Sequence, residues 1–368
     1  MKKKFVQIII FIFFCLLLPN IWGCKAGNHE QTNGSHYNNI KISQPRFLMD
    51  NDKILFSYFI VDKRLVQLAI YEIPSGRLYR FDKYDHILRK QYSTYYPPEG
   101  KDITIVVVDY PTLSRDGKLV AFKKGEGDQS DIYVMKADGT NIEKLTESPP
   151  PAPSQNGNDS IVQYNTLPSF SPDGKRIIFM RAALKRQRSL GRGKMLSHWD
   201  VYDVDIETGV ERRLTNQQFY DMSQPYYLSD GTRFIFSAST VSAAKEPDLS
   251  NIYILDGRQR ATVPAFKNGW YSTAPSVSLD DTILFRSETS GMDGLKSPYN
   301  YDLFIKKGGN IKRITKMQTY ISDQAISPDG SRIVFLENKE RKFDWTMWIV
   351  NSDGSGLTKI GIPWDQLK

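Results

Sequence analysis

The sequence predicts an all-β fold, a six-bladed β-propeller of four-stranded antiparallel blades. Three observations predict it. One segment recurs six times, each recurrence places turn residues at fixed offsets, and the runs between turns are rich in β-branched and aromatic residues.

The recurrence is clearest in PSFSPDGKRIIF (168–179), PTLSRDGKLVAF (111–122), PYYLSDGTRFIF (225–236) and QAISPDGSRIVF (324–335). Looser copies are PRFLMDNDKILF (45–56) and PSVSLDDTILF (275–285). A Pro stands five residues before the Asp in five copies, as in Pro168/Asp173, and Gln324 takes that place before Asp329. The closing aromatics Phe56, Phe122, Phe179, Phe236, Phe285 and Phe335 are 66, 57, 57, 49 and 50 residues apart. Each copy is followed by an apolar run centred on an aromatic (LAIYEI, DIYVM, DVYDV, NIYIL, DLFIK, TMWIV) and by a tight turn such as Asp138-Gly139 or Asp353-Gly354. KLT, RLT, RIT and GLT close most units, and ATVP is the weakest counterpart. Asp-Gly supplies positive φ at low cost and suits short hairpin turns. A single four-stranded sheet has two apolar faces, and radial stacking of such sheets buries both. The opening Pro is expected to start an inner strand, and the final Phe to pack the blade.

In chain order, Lys2, Lys3 and Lys4 precede an apolar run from Phe5 to Leu18, the pattern of a secretory signal. Ile21-Trp22-Gly23-Cys24 resembles the lipobox of bacterial lipoproteins. That resemblance implies a signal peptide over 1–23 and lipidation of Cys24 as the first mature residue. Residues 24–39 lack apolar periodicity and read as a flexible tether. The propeller spans 40–362, with blades at about 43–83, 104–146, 166–215, 223–263, 273–315 and 322–360. The other Cys, Cys15, is in the leader, so the domain is expected to stand on its core without disulfides. Removing Lys2, Lys3 and Lys4 with the leader takes the net charge from +8 to +5. So mild a surplus, spread along an exported chain, argues against nucleic acid as a partner.

The units SRDGKLVAF…DIYVMKADGTNIEKLT and SPDGSRIVF…MWIVNSDGSGLTKI resemble the repeat of TolB-type propellers, over about 45–360. The resemblance implies the propeller fold and little about activity, because similar blades occur in peptidase accessory domains, polysaccharide lyases and scaffolding proteins.

Propeller connectivity puts the tight Asp-Gly turns on one face. The long segments 84–103, 147–166, 182–198, 238–250, 263–273, 286–300 and 337–344 are then expected as irregular connections on the other, where recognition usually resides. Lys185, Arg186, Arg188, Arg192 and Lys194 form a candidate binding loop for an anionic polymer or an acidic envelope protein. Glu246, Asp248, Asp293 and Asp302, placed on other loops, are the acids that could offset it. In the inner strands Phe47, Leu113, Phe170, Tyr227, Val277 and Ile326 form the packed set. Arg46, Thr112, Ser169, Tyr226, Ser276 and Ala325 are then the candidate channel lining. Asp116, Asp173, Asp230 and Asp329 are turn formers. The four His are scattered, no metal-ligand spacing is present, and neither G-x-S-x-G nor a phosphate-binding glycine loop is found, so no cofactor, metal or catalytic residue is assigned. The expected role is a lipid-anchored, extracytoplasmic binding or scaffolding module of the bacterial cell envelope, on the outer rather than the inner membrane in a Gram-negative cell. The alternative is a carbohydrate-active or hydrolytic propeller with a divergent site at the channel mouth.

Overall fold

The repeated S-x-D-G turn closes on its own side chains. Ser114, Ser171 and Ser327 donate to Asp116, Asp173 and Asp329 at 2.6–2.7 Å. The same serine oxygens accept the backbone N–H of Leu119, Arg176 and Arg332 at 2.9 Å. Gly117 (φ 70°) and Gly330 (φ 74°) occupy the left-handed region that lets the chain reverse. The serine hydrogen bond is the main cause holding the Asp116 and Asp173 carboxyls below the usual range. These aspartates are therefore bound up in the turns.

A computed structural model describes residues 40–60, 65–80, 106–126, 129–137, 140–149, 152–153, 159–187, 194–196, 198–239, 250–256, 262–264, 272–289, 300–317, 319–338 and 345–367. The leader and tether, including Cys24, lie outside them. The fold is all-β, and the short 3-10 turn Trp364–Leu367 is the only helical element named among the described residues. The first sheet is Ile40–Phe47, Lys53–Ile60, Leu65–Glu72 and Arg77–Arg80, antiparallel and in chain order. The fifth and sixth units repeat that plan, from Ser272–Val277 to Asn310–Arg313 and from Tyr320–Ile326 to Thr358–Lys359. In the fourth, the first strand is split into Asp221–Met222 and Tyr226–Tyr227, and ATVP does supply an outer strand, Thr262–Pro264. The second and third units share one ten-stranded sheet, joined by the parallel pair Tyr164↔Ser130.

Two expectations are corrected. The Pro of the repeat does not open its strand: Pro168 sits near the end of Asp159–Phe170, within a β-bulge between Thr166 and Ser169. Matching bulges interrupt the first strands at Ser43/Arg46, Asp109/Thr112, Thr273/Ser276 and Ser322/Ala325. Gln44, Tyr110, Leu167, Ala274 and Asp323 take the bulge residue's positive φ, between 50° and 56°. A bulge spares a ladder donor, so a residue without an N–H fits beside it. Second, the expected connections 147–166 and 182–198 are largely strand among their described residues. Asp159–Phe170 pairs with Arg176–Gln187 out to Asp159↔Gln187, and Ala152–Pro153 and Lys194–Leu196 flank them. Ile161, Val162, Tyr164 and Thr166 in DSIVQYNT favour strand, and pairing with them carries AALKRQ on in the ladder where a loop was expected.

The final Phe of each repeat is core. Phe56, Phe122, Phe179, Phe236, Phe285 and Phe335 are at most 2% exposed. Phe122, Phe179, Phe236 and Phe285 stack on the opposed aromatics Tyr133, Tyr202, Tyr253 and Phe304 at 5.6–6.0 Å, a favourable cross-strand pairing. Apolar clusters then join consecutive sheets. Ile178 and Met180 pack with Phe219 and Phe234, and Leu284 and Leu303 with Ile321 and Phe335. Ile54, Phe56 and Tyr58 of the first sheet pack with Val334, Leu336 and Met347 of the last.

The closing Leu-Thr or Ile-Thr has its own function. Thr146, Thr215 and Thr315 donate to the buried carboxylates Asp131, Asp200 and Asp302, and accept the N–H of Ile132, Val201 and Leu303. Each outer segment is thereby locked to the start of the third strand. Thr358, in the unit whose third strand opens with Thr346, is exposed and bonds only its neighbour Gly356. Thr315→Val should cost about 1–3 kcal/mol, because it strips hydrogen bonds from a fully buried carboxylate. Thr358→Val should stay within about 0.5 kcal/mol, measured side by side by urea unfolding.

Candidate functional site

The first strands of the units converge. Gln44 Oε1 accepts the Tyr110 N–H at 3.0 Å, linking the first unit to the second. Gln224 Nε2 donates to the Pro168 carbonyl at 2.9 Å, and Gln324 Nε2 donates to the Ala274 carbonyl. Arg46 Nη2 donates to Gln224 Oε1 at 2.9 Å, a bond from the first unit to the fourth. Of the candidate lining residues, Arg46 and Tyr226 are brought together. Tyr226 is half-buried, burial raises the pKa of its hydroxyl, and Arg46 lowers it by charge and hydrogen bonding. Thr112 is half-buried, whereas Ser169, Ser276 and Ala325 are nearly closed off, at 6%, 4% and 2% exposure. Ser276 Oγ accepts the Ile326 N–H from the neighbouring sheet at 3.3 Å.

Asp221, in the short strand before the Gln224 crossing, was not singled out from the sequence. It touches solvent, yet protein encloses it closely enough to push its carboxyl up to about 6 by desolvation, with the Arg286 charge working the other way. Arg286 lies over the Tyr301 and Tyr320 rings at 5.2 and 5.8 Å and donates to the Ile321 carbonyl, and Tyr320 also contacts Trp345. Between the second and third units, the buried Lys123 donates to the Tyr164 hydroxyl at 2.7 Å and faces the Tyr110 and Tyr164 rings. Aromatic rings of the first strands, Tyr110, Tyr164 and Tyr320, thus meet cations of the second strands, Lys123 and Arg286.

The basic candidates fall elsewhere. Lys185 and Arg186 are strand residues, opposed to Leu196 and Met195, and Lys194 opposes Gln187. They belong to a paired β extension rather than a loop; Arg188 and Arg192 lie outside the described residues. Glu246, Asp248 and Asp293 also lie outside them. Asp302 is not a loop acid: it is fully buried and engaged by Arg313, Thr315 and the Met317 N–H. Asp203, likewise fully buried, takes bidentate hydrogen bonds from Arg176 and Arg212 and a third contact from Tyr227 of the next unit at 2.6 Å. Burial opposes its ionisation, but the two guanidinium groups outweigh it and hold the carboxyl below its usual range. This is a bracing network between two units. His198 is exposed against Tyr220, and among the described residues no three His, Cys, Asp or Glu side chains are grouped as metal ligands.

Asp221 generates a pH prediction. Its native pKa stands above the ordinary 3.8, so its proton favours the folded state. That contribution is complete below about pH 4 and lost as pH rises through about 6. The stability of wild type relative to Asp221→Asn should therefore fall between those limits and stay flat above them. Paired urea titrations across that range check it.

No family model matches the chain. It is 29% identical over 114 residues to YuxL, an uncharacterized peptidase of Bacillus subtilis, an alignment spanning 31% of this chain and 17% of the peptidase. Among solved structures it is similar to TolB from Acinetobacter baumannii, with a TM-score of 0.54 and 18% identity over 88% of this chain and 64% of TolB. It is also similar to an oligogalacturonate lyase in complex with manganese, with a TM-score of 0.52 and 12% identity over 87% of this chain and 78% of the lyase. At these identities the likeness is one of fold, shared by proteins of unlike function. The chain has a TolB-like β-propeller fold.

Proposed function

We propose that this chain is a six-bladed, lipid-anchored propeller serving as a binding module of the cell envelope. Its partner engages the end of the sheets opposite the Asp-Gly turns. One observation carries the reading: the turn end is consumed by contacts between sheets. Ser229 bonds Asp281 through both its N–H and its hydroxyl, the Leu279 N–H reaches the Pro328 carbonyl, and Asn51 and Asp52 receive Asp329 N–H and Arg332. The opposite end carries the β extension with Lys185, Arg186 and Lys194, and the connections that vary in length between units. Six sequence units, and the packing of the first sheet on the last, support the blade number. The leader and Cys24 support the anchor, and Lys25 after Cys24, in place of the Asp that retains some lipoproteins at an inner membrane, supports an outer-membrane position in a Gram-negative cell.

Lipidation is tested by Cys24→Ser, which should move the protein from the membrane to the soluble extracytoplasmic fraction. Retention in the membrane would refute the anchor. Replacing Lys185, Arg186, Arg188, Arg192 and Lys194 by Gln should abolish capture of an acidic partner from native envelopes while leaving Tm within a few degrees, since solvated surface charges contribute little to stability. Unchanged capture would remove this surface from the binding role.

A further inference from the structure

Four outer segments carry an apolar residue in matching register, and one of the four is covered. Leu78, Ile142, Ile311 and Leu357 each stand two residues before a Lys or Arg that opposes the third strand: Arg80 at Ala69, Lys144 at Tyr133, Arg313 at Phe304 and Lys359 at Trp348. Ile142, Ile311 and Leu357 are 40–42% exposed, but Leu78 only 4%. Residues 360–367 make the difference. They leave the last sheet after Thr358–Lys359 and form one 3-10 turn, Trp364–Leu367, against the outer strand of the first. Gln366 Oε1 accepts the Leu78 N–H at 2.8 Å, as the carbonyl of a further strand would. Ile360, Ile362 and Trp364 join the apolar cluster that holds Leu78, and the Trp364 ring lies 6.2 Å from Phe56 and 5.5 Å from Tyr58.

Other junctions are held by other means. Gln44 ties the first unit to the second, Gln224 the fourth to the third, and Gln324 the sixth to the fifth. A shared sheet joins the second unit to the third, and Ser237 of the fourth bonds Thr273 and the Ala274 N–H of the fifth. Between the last unit and the first, Asn51 and Asp52 act at the turn end, and residues 360–367 act at the outer edge. We propose that residues 360–367 are a releasable clasp. Its docking closes the junction of the first and last sheets, and its release lets that junction open before the others. A half-buried indole and an exposed amide on a single turn hold it against the first sheet, contacts that can break while the strands stay paired. Release uncovers Leu78 and the apolar cluster behind it.

Hydrogen–deuterium exchange on the full chain tests the clasp. In Gln366→Ala the Leu78 amide should exchange about two- to tenfold faster, the loss of one hydrogen bond, with the other units at wild-type rates. In Trp364→Ala exchange should quicken about tenfold or more across 53–60, 77–80 and 346–351, while 177–182 and 283–287 keep wild-type rates. Trp364→Phe, which keeps a ring, should restore most of the protection. A rise spread evenly over all units, as from a general loss of stability, would overturn the proposal, and so would unchanged exchange at 53–60 and 346–351. If Trp364→Ala does not fold, wild type decides the matter. In sub-denaturing urea, 53–60 and 346–351 should exchange through an opening that 177–182 and 283–287 do not share. One opening common to all four would refute the clasp.

Discussion

A backbone carbonyl or N–H that a β-bulge removes from its ladder must find another partner. In this chain the partner comes from the neighbouring sheet. The Pro168 and Ala274 carbonyls take glutamine amides from Gln224 and Gln324, and the Tyr110 N–H takes the Gln44 side-chain oxygen. The bulge costs strain at five non-glycine residues with positive φ, including the bulky Tyr110 and Leu167. It gives in return a set of directional bonds that aligns separate sheets at their first strands. Apolar packing alone does not fix angle or register, so these bonds do at the first strands what Ser229–Asp281 and Leu279–Pro328 do at the turn end.

That matters because the sheets are built from consecutive strands. The first sheet holds only residues 40–80 and the last only 320–359, so no strand is shared between them. Their junction rests on side chains. Ile54, Phe56 and Tyr58 pack on Val334, Leu336 and Met347, with Trp364 edge-on to Phe56 and the Gln366 side chain accepting from the Leu78 N–H. The ion pair Arg332–Asp52 sits at its rim, where solvent screens it, so the apolar cluster supplies most of the cohesion.

Much of this was legible in the chain. Composition and the recurrence of Asp-Gly and Phe determine turn positions and core aromatics because both are local: a turn needs its glycine, and period-two alternation decides which side of a strand is buried. The convergence of Gln44, Gln224 and Gln324 was harder to read. They precede or replace the Pro of the repeat, so their position was visible, but their partners are 50–66 residues away and belong to other units. Asp131, Asp200 and Asp302 could have been matched to Thr146, Thr215 and Thr315 from sequence alone, since both recur at a spacing of 13–15 residues. Asp221 could not, because desolvation in the folded state raises its pKa, and the charge that opposes it, Arg286, belongs to another unit. The strand extension through Lys185 was misread because its own charge density suggested a loop, whereas its pairing partner carries the β-branched and aromatic residues Ile161, Val162 and Tyr164.

The division of labour between the two ends of the sheets follows from the same physics. The turn end repeats because every S-x-D-G must satisfy the same donors and then fit against its neighbour. A change there is felt twice, within the turn and across the junction, as the Ser229–Asp281 and Leu279–Pro328 bonds show. The convergent first strands repeat less strictly. There the repeat needs only a bulge and a small side chain, so Arg46 and Tyr226 depart from it without disturbing the turns. Charged and aromatic residues in positions that the fold itself would fill with Ser, Thr or Ala are costly to place in a partly enclosed space. Arg46 offsets that cost with bonds to the Pro45 carbonyl and to the Gln224 side chain, and the second of these also ties the first unit to the fourth.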